Sequence, residues 1–281
     1  MILLADSGAT KAEWALIDLG VCIERFITSG INPYYLTESE IDHILDTELK
    51  PKLSDKTIKR VHFYGAGCST YSHQHMIQKT LNDIIPKAQI FVGHDMYGAA
   101  LGLFGSRKGI ACILGSGSNA CVYDGEQIVQ NTVSLGHILG DEGSGYHLGK
   151  EFIRRCYYGD IPEYIKTNFE QEYHLNLEKI LKQVYDKQKS GKFLSSLSHY
   201  IFRFKNEPAI RKMIRACFEE FIQRHVLRFE ESSTQQISFI GSIAYNYQDI
   251  LKQVLTENKL QLGKILQRPL DGMIEYYGNN N

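Results

Sequence analysis

Met1-Ile2-Leu3-Leu4-Ala5-Asp6-Ser7-Gly8-Ala9-Thr10-Lys11-Ala12-Glu13-Trp14-Ala15-Leu16-Ile17 is the stretch that decides the fold. The apolar runs Met1 to Leu4 and Glu13 to Leu19 predict two strands, and Asp6 to Lys11 between them predicts the turn of a hairpin. That turn carries a carboxylate, a glycine, two hydroxyls and a lysine at the end of a strand. Glycine lets backbone N–H groups approach phosphate oxygens, lysine supplies a point charge, and a carboxylate can hold Mg²⁺ directly or through water. A turn made soluble by polar residues is the plain alternative.

The same plan returns about a hundred residues later. Ile110 to Leu114 predicts a strand, Gly115-Ser116-Gly117-Ser118-Asn119 a turn, and Ala120 to Tyr123 the return strand. Short polar residues around one turn leave backbone N–H groups free for an anion, although glycine-serine hairpins are common without one. Two strand, glycine turn, strand units suggest a duplicated architecture of two facing halves.

Working outward, Val61 to Tyr64 and Gln89 to Val92 predict strands that end at Gly65-Ala66-Gly67 and Gly93-His94-Asp95. Helical patterns over Glu38 to Leu49, Tyr71 to Ile85 and Met96 to Phe104 lie between them, with Pro51 and Pro86 as stops. Beyond Tyr146 helical spacing dominates, through Tyr146 to Tyr157, Leu175 to Tyr185, Phe193 to Phe204 and Ala209 to Phe229. A strand at Ile237 to Ile240 interrupts it, followed by Gly241-Ser242 and a helix from Tyr247 to Thr256. The reading is α/β with two domains, residues 1–106 and 107–264, joined by a short crossover near Ser106 to Lys108.

Composition narrows the partners. The 281 residues carry a net charge of -1, so no basic field is available for nucleic acid or an anionic membrane. No run approaches the length of a membrane span and no basic leader precedes the first strand, so a cytoplasmic location is the expectation. The six cysteines are scattered, mostly inside apolar runs, and read as buried thiols.

Two further places could carry chemistry. Asp95 follows a strand and precedes a helix, which puts a carboxylate at the carboxyl edge of a sheet, where open α/β folds place ligands. Phosphoryl transfer asks such a group only to orient a hydroxyl and take its proton late; capping the helix from Met96 is the alternative role. Gly136-His137-Ile138-Leu139-Gly140-Asp141-Glu142-Gly143-Ser144-Gly145 holds four glycines and two carboxylates. Asp141 and Glu142 suit sugar hydroxyls or waters around a metal, and N–H groups at the following helix start suit an anion. Three motifs fail. Five residues separate Gly143 from Gly149 and Glu151 follows Lys150, which excludes a P-loop. His73 and His75 lack a third zinc ligand nearby, and no G-x-S-x-G elbow occurs.

Four of these stretches, in this order, resemble the actin-like ATPase and sugar kinase superfamily, specifically its N-acetylglucosamine kinase and BadF-type ATPase branch. They are Asp6 to Lys11, His94-Asp95 before Gly98-Ala99, Gly115 to Asn119, and Gly140 to Gly145. Phe239 to Ile243 looks like the family's adenosine segment, and the likeness spans most of the chain. It implies two ribonuclease-H-like domains around a central cleft, with residues 265–281 returning to the first domain as a helix. ATP and Mg²⁺ are the implied cofactors. Asp6, Gly8, Thr10 and Lys11 would serve the phosphates, with Asp6 on the metal; Gly115, Ser116, Gly117 and Ser118 would cradle phosphates; Gly241 and Ser242 would border adenosine. Asp95 corresponds to the general base, while Asn32, Asn119, Asp141 and Glu142 look like sugar contacts.

The implied activity is transfer of the γ-phosphate to the 6-hydroxyl of an amino sugar, N-acetylglucosamine first, with glucosamine and N-acetylmuramic acid open. A nucleotide-driven activator of a partner enzyme is the alternative, and a sugar-sensing regulator a third reading. The expected partner is the sugar, not nucleic acid or membrane, with a homodimer left open. Leu135 stands where many relatives carry tryptophan, Cys112 and Cys121 read as core instead of iron-sulfur ligands, and the zinc motif of ROK sugar kinases is missing.

Overall fold

The computed structural model describes residues 1–8, 10–186 and 190–279, so Ala9 of the first turn lies outside them. The chain forms two compact units: Met1–Arg107 with Asp124–Ile128 and Arg268–Asn281, and Lys108–Tyr123 with Val129–Gln267.

The first unit is built on β1 (Ile2–Ser7), β2 (Lys11–Asp18), β3 (Val21–Ser29), β4 (Arg60–Gly65) and β5 (Gln89–His94), in the order β3-β2-β1-β4-β5. β1 runs antiparallel to β2 and parallel to β4, which runs parallel to β5. Alternation along β1 sorts its side chains onto two cores. Leu3 and Ala5 join Trp14, Leu16, Val61 and Phe63 under the helices Glu38–Ile44 and Tyr71–Ile84. Ile2 and Leu4 join Ala15, Ile17 and Tyr64 under the helices Asp95–Phe104 and Pro269–Asn279. A sheet covered on both faces needs apolar residues at successive positions, which is why β1 reads as an unbroken hydrophobic run. The polar group of fully buried Trp14 is satisfied, its indole N–H donating to Thr28 Oγ1 at 2.9 Å.

The spacing predicts a two-stranded hairpin here; the structure adds β3. Leu19 (φ 46°) and Gly20 (φ 82°) both take positive φ, the backbone of a two-residue type I′ turn.

The second unit is built on β6 (Gly109–Leu114), β7 (Ser118–Tyr123), β8 (Ile128–Asn131), β9 (Ile237–Ile240) and β10 (Leu262–Leu266). Their order is β8-β7-β6-β9-β10, which repeats the first sheet strand for strand. β6 runs antiparallel to β7 and parallel to β9, and β9 runs parallel to β10. The duplication suggested by two similar turns is therefore a duplication of topology. Helices inserted between β8 and β9 supply much of this unit's core, including Phe152, Ile214, Phe218 and Phe221.

The tail differs from expectation at its start. Ile265 and Leu266 end β10, with Leu266 opposite Ile240 of β9, and the helix that packs in the first unit begins only at Pro269. Proline suits a first helical position, where its missing N–H costs nothing. Among the described residues no helix is long and apolar enough to cross a membrane.

Candidate active site

In the first unit β1, β4 and β5 are parallel, so their carboxyl ends share one edge. Asp6 sits near the end of β1, and Asp95 follows β5. Desolvation first, then the Asp95 and Glu13 carboxylates, push the Asp6 carboxyl up from 3.8 to about 7, against the opposing pull of Lys11. Like charges held together out of water disfavour the ionised form.

His94, not Asp95, is the N-cap of the following helix; its Nδ1 accepts from the Met96 N–H at 3.3 Å. Asp95 shares that load, with Oδ1 accepting the same N–H at 2.7 Å. The second carboxylate oxygen of Asp95 has no hydrogen-bond partner among the described residues.

The Asp6 to Lys11 turn is closed by the Gly8 N–H donating to the Lys11 carbonyl at 3.0 Å, and the Gly30 N–H donates to the Thr10 carbonyl at 3.1 Å. Lys11 is paired with Glu13, a buried carboxylate that also lies 3.7 Å from the Arg268 guanidinium. The expected phosphate lysine thus has a resident counter-ion that the turn motif alone did not reveal.

Asn32 joins this edge because the Ser7 hydroxyl donates to the Ile31 carbonyl at 3.0 Å and accepts from the Ile31 N–H at 2.9 Å. Its Oδ1 accepts from the Tyr34 N–H at 2.9 Å, which leaves Nδ2 as the donor end of the amide. Gly67 packs on that amide: at φ +84° a Cβ there would stand 2.3 Å from Asn32 Oδ1. His73 Nδ1 lies 2.9 Å from the Gly67 carbonyl, so this histidine braces the loop.

In the second unit the turn from Gly115 to Ser118 is tight, with the Gly115 N–H donating to the Gly117 carbonyl at 3.0 Å. The Ser118 N–H donates to Asp141 Oδ1 at 3.1 Å. The N–H groups of Ser116 and Gly117 remain without partners among the described residues, and the buried Ser118 hydroxyl has none either. Of these only Ser118 is buried, where a polar group is normally paired; together with the two N–H groups at the accessible turn it offers three donors that fit the oxygens of an anion. Gly241 (φ +118°) closes on this turn; a Cβ there would stand 2.4 Å from the Leu114 carbonyl oxygen and 3.1 Å from the Gly115 nitrogen. Exposed Ser242 begins the helix Ser242–Asn246 beside it.

Asp141 is held at φ 57°, uncommon for a residue with a side chain, and is only 8% exposed. Burial raises its carboxyl, partly offset by the Ser118 N–H. The helix start expected to receive an anion does not. The Gly145 and Tyr146 N–H groups donate to the Gly115 and Ser116 carbonyls at 2.8 and 3.1 Å, because that helix end is the support on which the turn rests.

Asn119 and Glu142 are tied together by two residues that the motifs did not single out. Asn119 Oδ1 accepts from the Ala120 N–H at 2.8 Å and from the Thr132 hydroxyl at 2.9 Å. Thr132 Oγ1 lies 3.0 Å from His225 Nδ1, and His225 Nε2 lies 2.9 Å from Glu142 Oε2. Burial works to raise Glu142, but its hydrogen bond with His225 and the imidazoles of His225 and His147 hold it below the ordinary carboxylate value. Thr132, Leu135, Glu142, Arg224, His225 and Arg228 line a pocket of about 730 Å³ in this unit.

The expected residues therefore form one group per unit: Asp6, Gly8, Thr10, Lys11, Asn32 and Asp95 in the first, Gly115 to Asn119, Asp141, Glu142, Gly241 and Ser242 in the second. Among the described residues no cluster of three or more His, Cys, Asp or Glu could hold a metal ion on its own. Mg²⁺ does not need one, since it is commonly bound through one or two carboxylates, waters and substrate phosphates. The strained ionisation of Asp6 beside Asp95 and Glu13 fits a cation at that position.

The chain is similar over its whole length to a candidate N-acetylglucosamine kinase from Porphyromonas gingivalis: 41% of residues are identical, 100% of this chain and 99% of that chain are covered, and the TM-score is 0.96. Two more distant structures share the fold. One is a candidate N-acetylglucosamine kinase from Chromobacterium violaceum (14% identity, 97% of each chain, TM-score 0.65). The other is a ROK family glucokinase from Streptomyces griseus in complex with glucose and AMPPNP (14% identity, 99% of this chain and 97% of that chain, TM-score 0.58). No protein-family model and no curated protein matches the chain.

Proposed function

The chain belongs to the N-acetylglucosamine kinase and BadF-type ATPase family of the actin-like ATPase and sugar kinase superfamily, and we propose that it phosphorylates an amino sugar with ATP. The favoured acceptor is the 6-hydroxyl of N-acetylglucosamine. The observation that carries this reading is the pair Asp6 and Asp95 at one sheet edge, where burial first and the Asp95 carboxylate second raise the Asp6 carboxyl to about 7. One carboxylate serves a cation on the phosphates and the other serves the hydroxyl.

In this reading Asp95 orients the sugar hydroxyl through its unpartnered oxygen. As the sugar O6–Pγ bond forms, the bond from Pγ to the β,γ-bridging oxygen breaks, ADP leaves with the electron pair, and the hydroxyl proton passes to Asp95. Mg²⁺, held by Asp6 together with phosphate oxygens, would neutralise charge on the transferring group. Gly8, Thr10 and Lys11 attend the phosphates from the first unit. In the second unit the Ser116 and Gly117 N–H groups and the Ser118 hydroxyl suit the oxygens of a phosphate, with Gly115 shaping the turn and Gly241 and Ser242 as the proposed adenosine neighbours. Asn32 and Asn119 each offer Nδ2–H donors, and Asp141 and Glu142 offer acceptors, a mixture suited to sugar hydroxyls.

A coupled ADP-release assay across hexoses, hexosamines and N-acetylated sugars tests the proposal. Sugar-dependent ADP release, strongest with an amino sugar, is the expected result. ATP turnover indifferent to every sugar would point instead to a nucleotide-driven activator, and preference for plain glucose would overturn the substrate class.

A further inference from the structure

His225 is only 6% exposed, lies in the π-helical turn Ile222–Val226, and stacks on Phe221 with ring centroids 5.0 Å apart. Both ring nitrogens are engaged, as burial demands, and their partners lead to two proposed sugar contacts. The hydrogen positions follow from the acceptors. The Ala120 N–H fixes Asn119 Oδ1 as the oxygen end of that amide, and the Thr132 hydroxyl, 2.9 Å from it and 3.1 Å from the Ala120 carbonyl oxygen, donates on that side. Thr132 Oγ1 then accepts from His225, which makes Nδ1 a donor. On the other side Glu142, held below the ordinary carboxylate value, is an acceptor, which makes Nε2 a donor as well.

We propose that His225 is a positioning residue for sugar binding: its two N–H groups fix Glu142 directly and Asn119 through Thr132. The inference rests on the kinase reading above. A relay of three hydrogen bonds holds the Asn119 amide with Nδ2–H free for a sugar oxygen, while the same imidazole fixes the Glu142 carboxylate. Without His225 the Thr132 hydroxyl can turn away from Asn119, and both sugar contacts lose their fixed orientation. Interactions that hold a bound substrate in place act on its binding, so the loss falls mainly on the sugar and not on ATP.

Two conservative variants separate the arms. The amide nitrogen of asparagine lies as many bonds from Cα as Nδ1, and that of glutamine as many as Nε2. His225→Asn keeps a donor for Thr132, and His225→Gln keeps one for Glu142. His225→Phe keeps the ring stacking on Phe221 and removes both donors, and Thr132→Val breaks the relay to Asn119 alone. The assay measures KM for N-acetylglucosamine, KM for ATP and kcat, with thermal unfolding as a check on folding.

His225→Phe is expected to raise the sugar KM by about tenfold or more while the ATP KM stays within about twofold. His225→Gln and Thr132→Val should raise it by similar amounts, and His225→Asn should recover part of the loss relative to His225→Phe. Equal sugar KM values in wild type and His225→Phe overturn the relay. So does a parallel fall in kcat and rise in both KM values with no recovery in His225→Asn, the signature of a merely structural role. A folded wild type that phosphorylates no sugar overturns the kinase reading and the relay with it, whereas an active wild type with unaffected variants overturns the relay alone.

Discussion

Replacing Asp95 by Asn lowers kcat for sugar phosphorylation by at least about 100-fold and leaves ATP affinity within about twofold of the wild-type value. The substitution is isosteric and the amide oxygen still accepts the Met96 N–H, so the helix Asp95–Phe104 keeps this bond as well as its His94 cap. What disappears is the only group at that sheet edge proposed to receive the hydroxyl proton. Removing one negative charge beside Asp6 also relieves repulsion there, so nucleotide binding has no reason to weaken. Steady-state ADP release and calorimetric titration of ATP read the two quantities separately. Retention of more than about a tenth of the wild-type rate contradicts the assignment of the base.

Asp6→Asn has two effects of opposite sign. Activity falls by about 100-fold or more, because the proposed metal carboxylate is gone. Stability of the ligand-free protein rises. A carboxyl group at about 7 in the folded state and 3.8 in the unfolded chain binds an extra proton in the native state between those values. Wild-type stability therefore declines as pH rises from about 4 to about 7 and stays low above it. Asparagine cannot ionise, so the variant escapes that decline and gains up to about 4 kcal/mol at pH 8, seen as a higher Tm. Scanning calorimetry at pH 5 and pH 8 checks this. The Tm difference between variant and wild type should be smaller at pH 5 than at pH 8 and positive at pH 8, and a variant less stable than wild type at pH 8 contradicts the reading of Asp6.

The parts of the fold written locally were readable. β1, β6 and their turns combine a fully buried apolar run with a glycine turn, and both signals are confined to a few neighbouring residues. β3 was not readable, because Val21–Ser29 mixes exposed Val21, Ile23 and Ile27 with half-buried Cys22 and Phe26, and its turn uses Leu19 in place of an asparagine or aspartate. β8 and β10, a short strand and a modestly apolar one at opposite edges of their sheet, carry equally weak patterns.

The candidate site shows the same division. Asp6, Asp95 and the Gly115 to Ser118 turn lie at strand ends, where sequence position already predicts placement. Glu13 was hidden because it sits within β2, inside a run that reads as core. His225 was hidden because its partners Thr132 and Glu142 lie 93 and 83 residues away, and only the tertiary fold joins them. The glycine-rich loop was half legible: its Glu142 lines the pocket of the second unit, but its Asp141 is buried against the Ser118 N–H and its helix start supports the neighbouring turn.

The proposed reaction moves a phosphoryl group from ATP to the 6-oxygen of an amino sugar. Phosphorus-31 NMR of a reaction containing the protein, MgATP and N-acetylglucosamine tests it most directly. One new phosphomonoester resonance coupled to the C6 protons, formed in step with ADP, is the expected result. Inorganic phosphate as the sole new phosphorus product besides ADP, or a phosphate coupled to the anomeric proton, would contradict it.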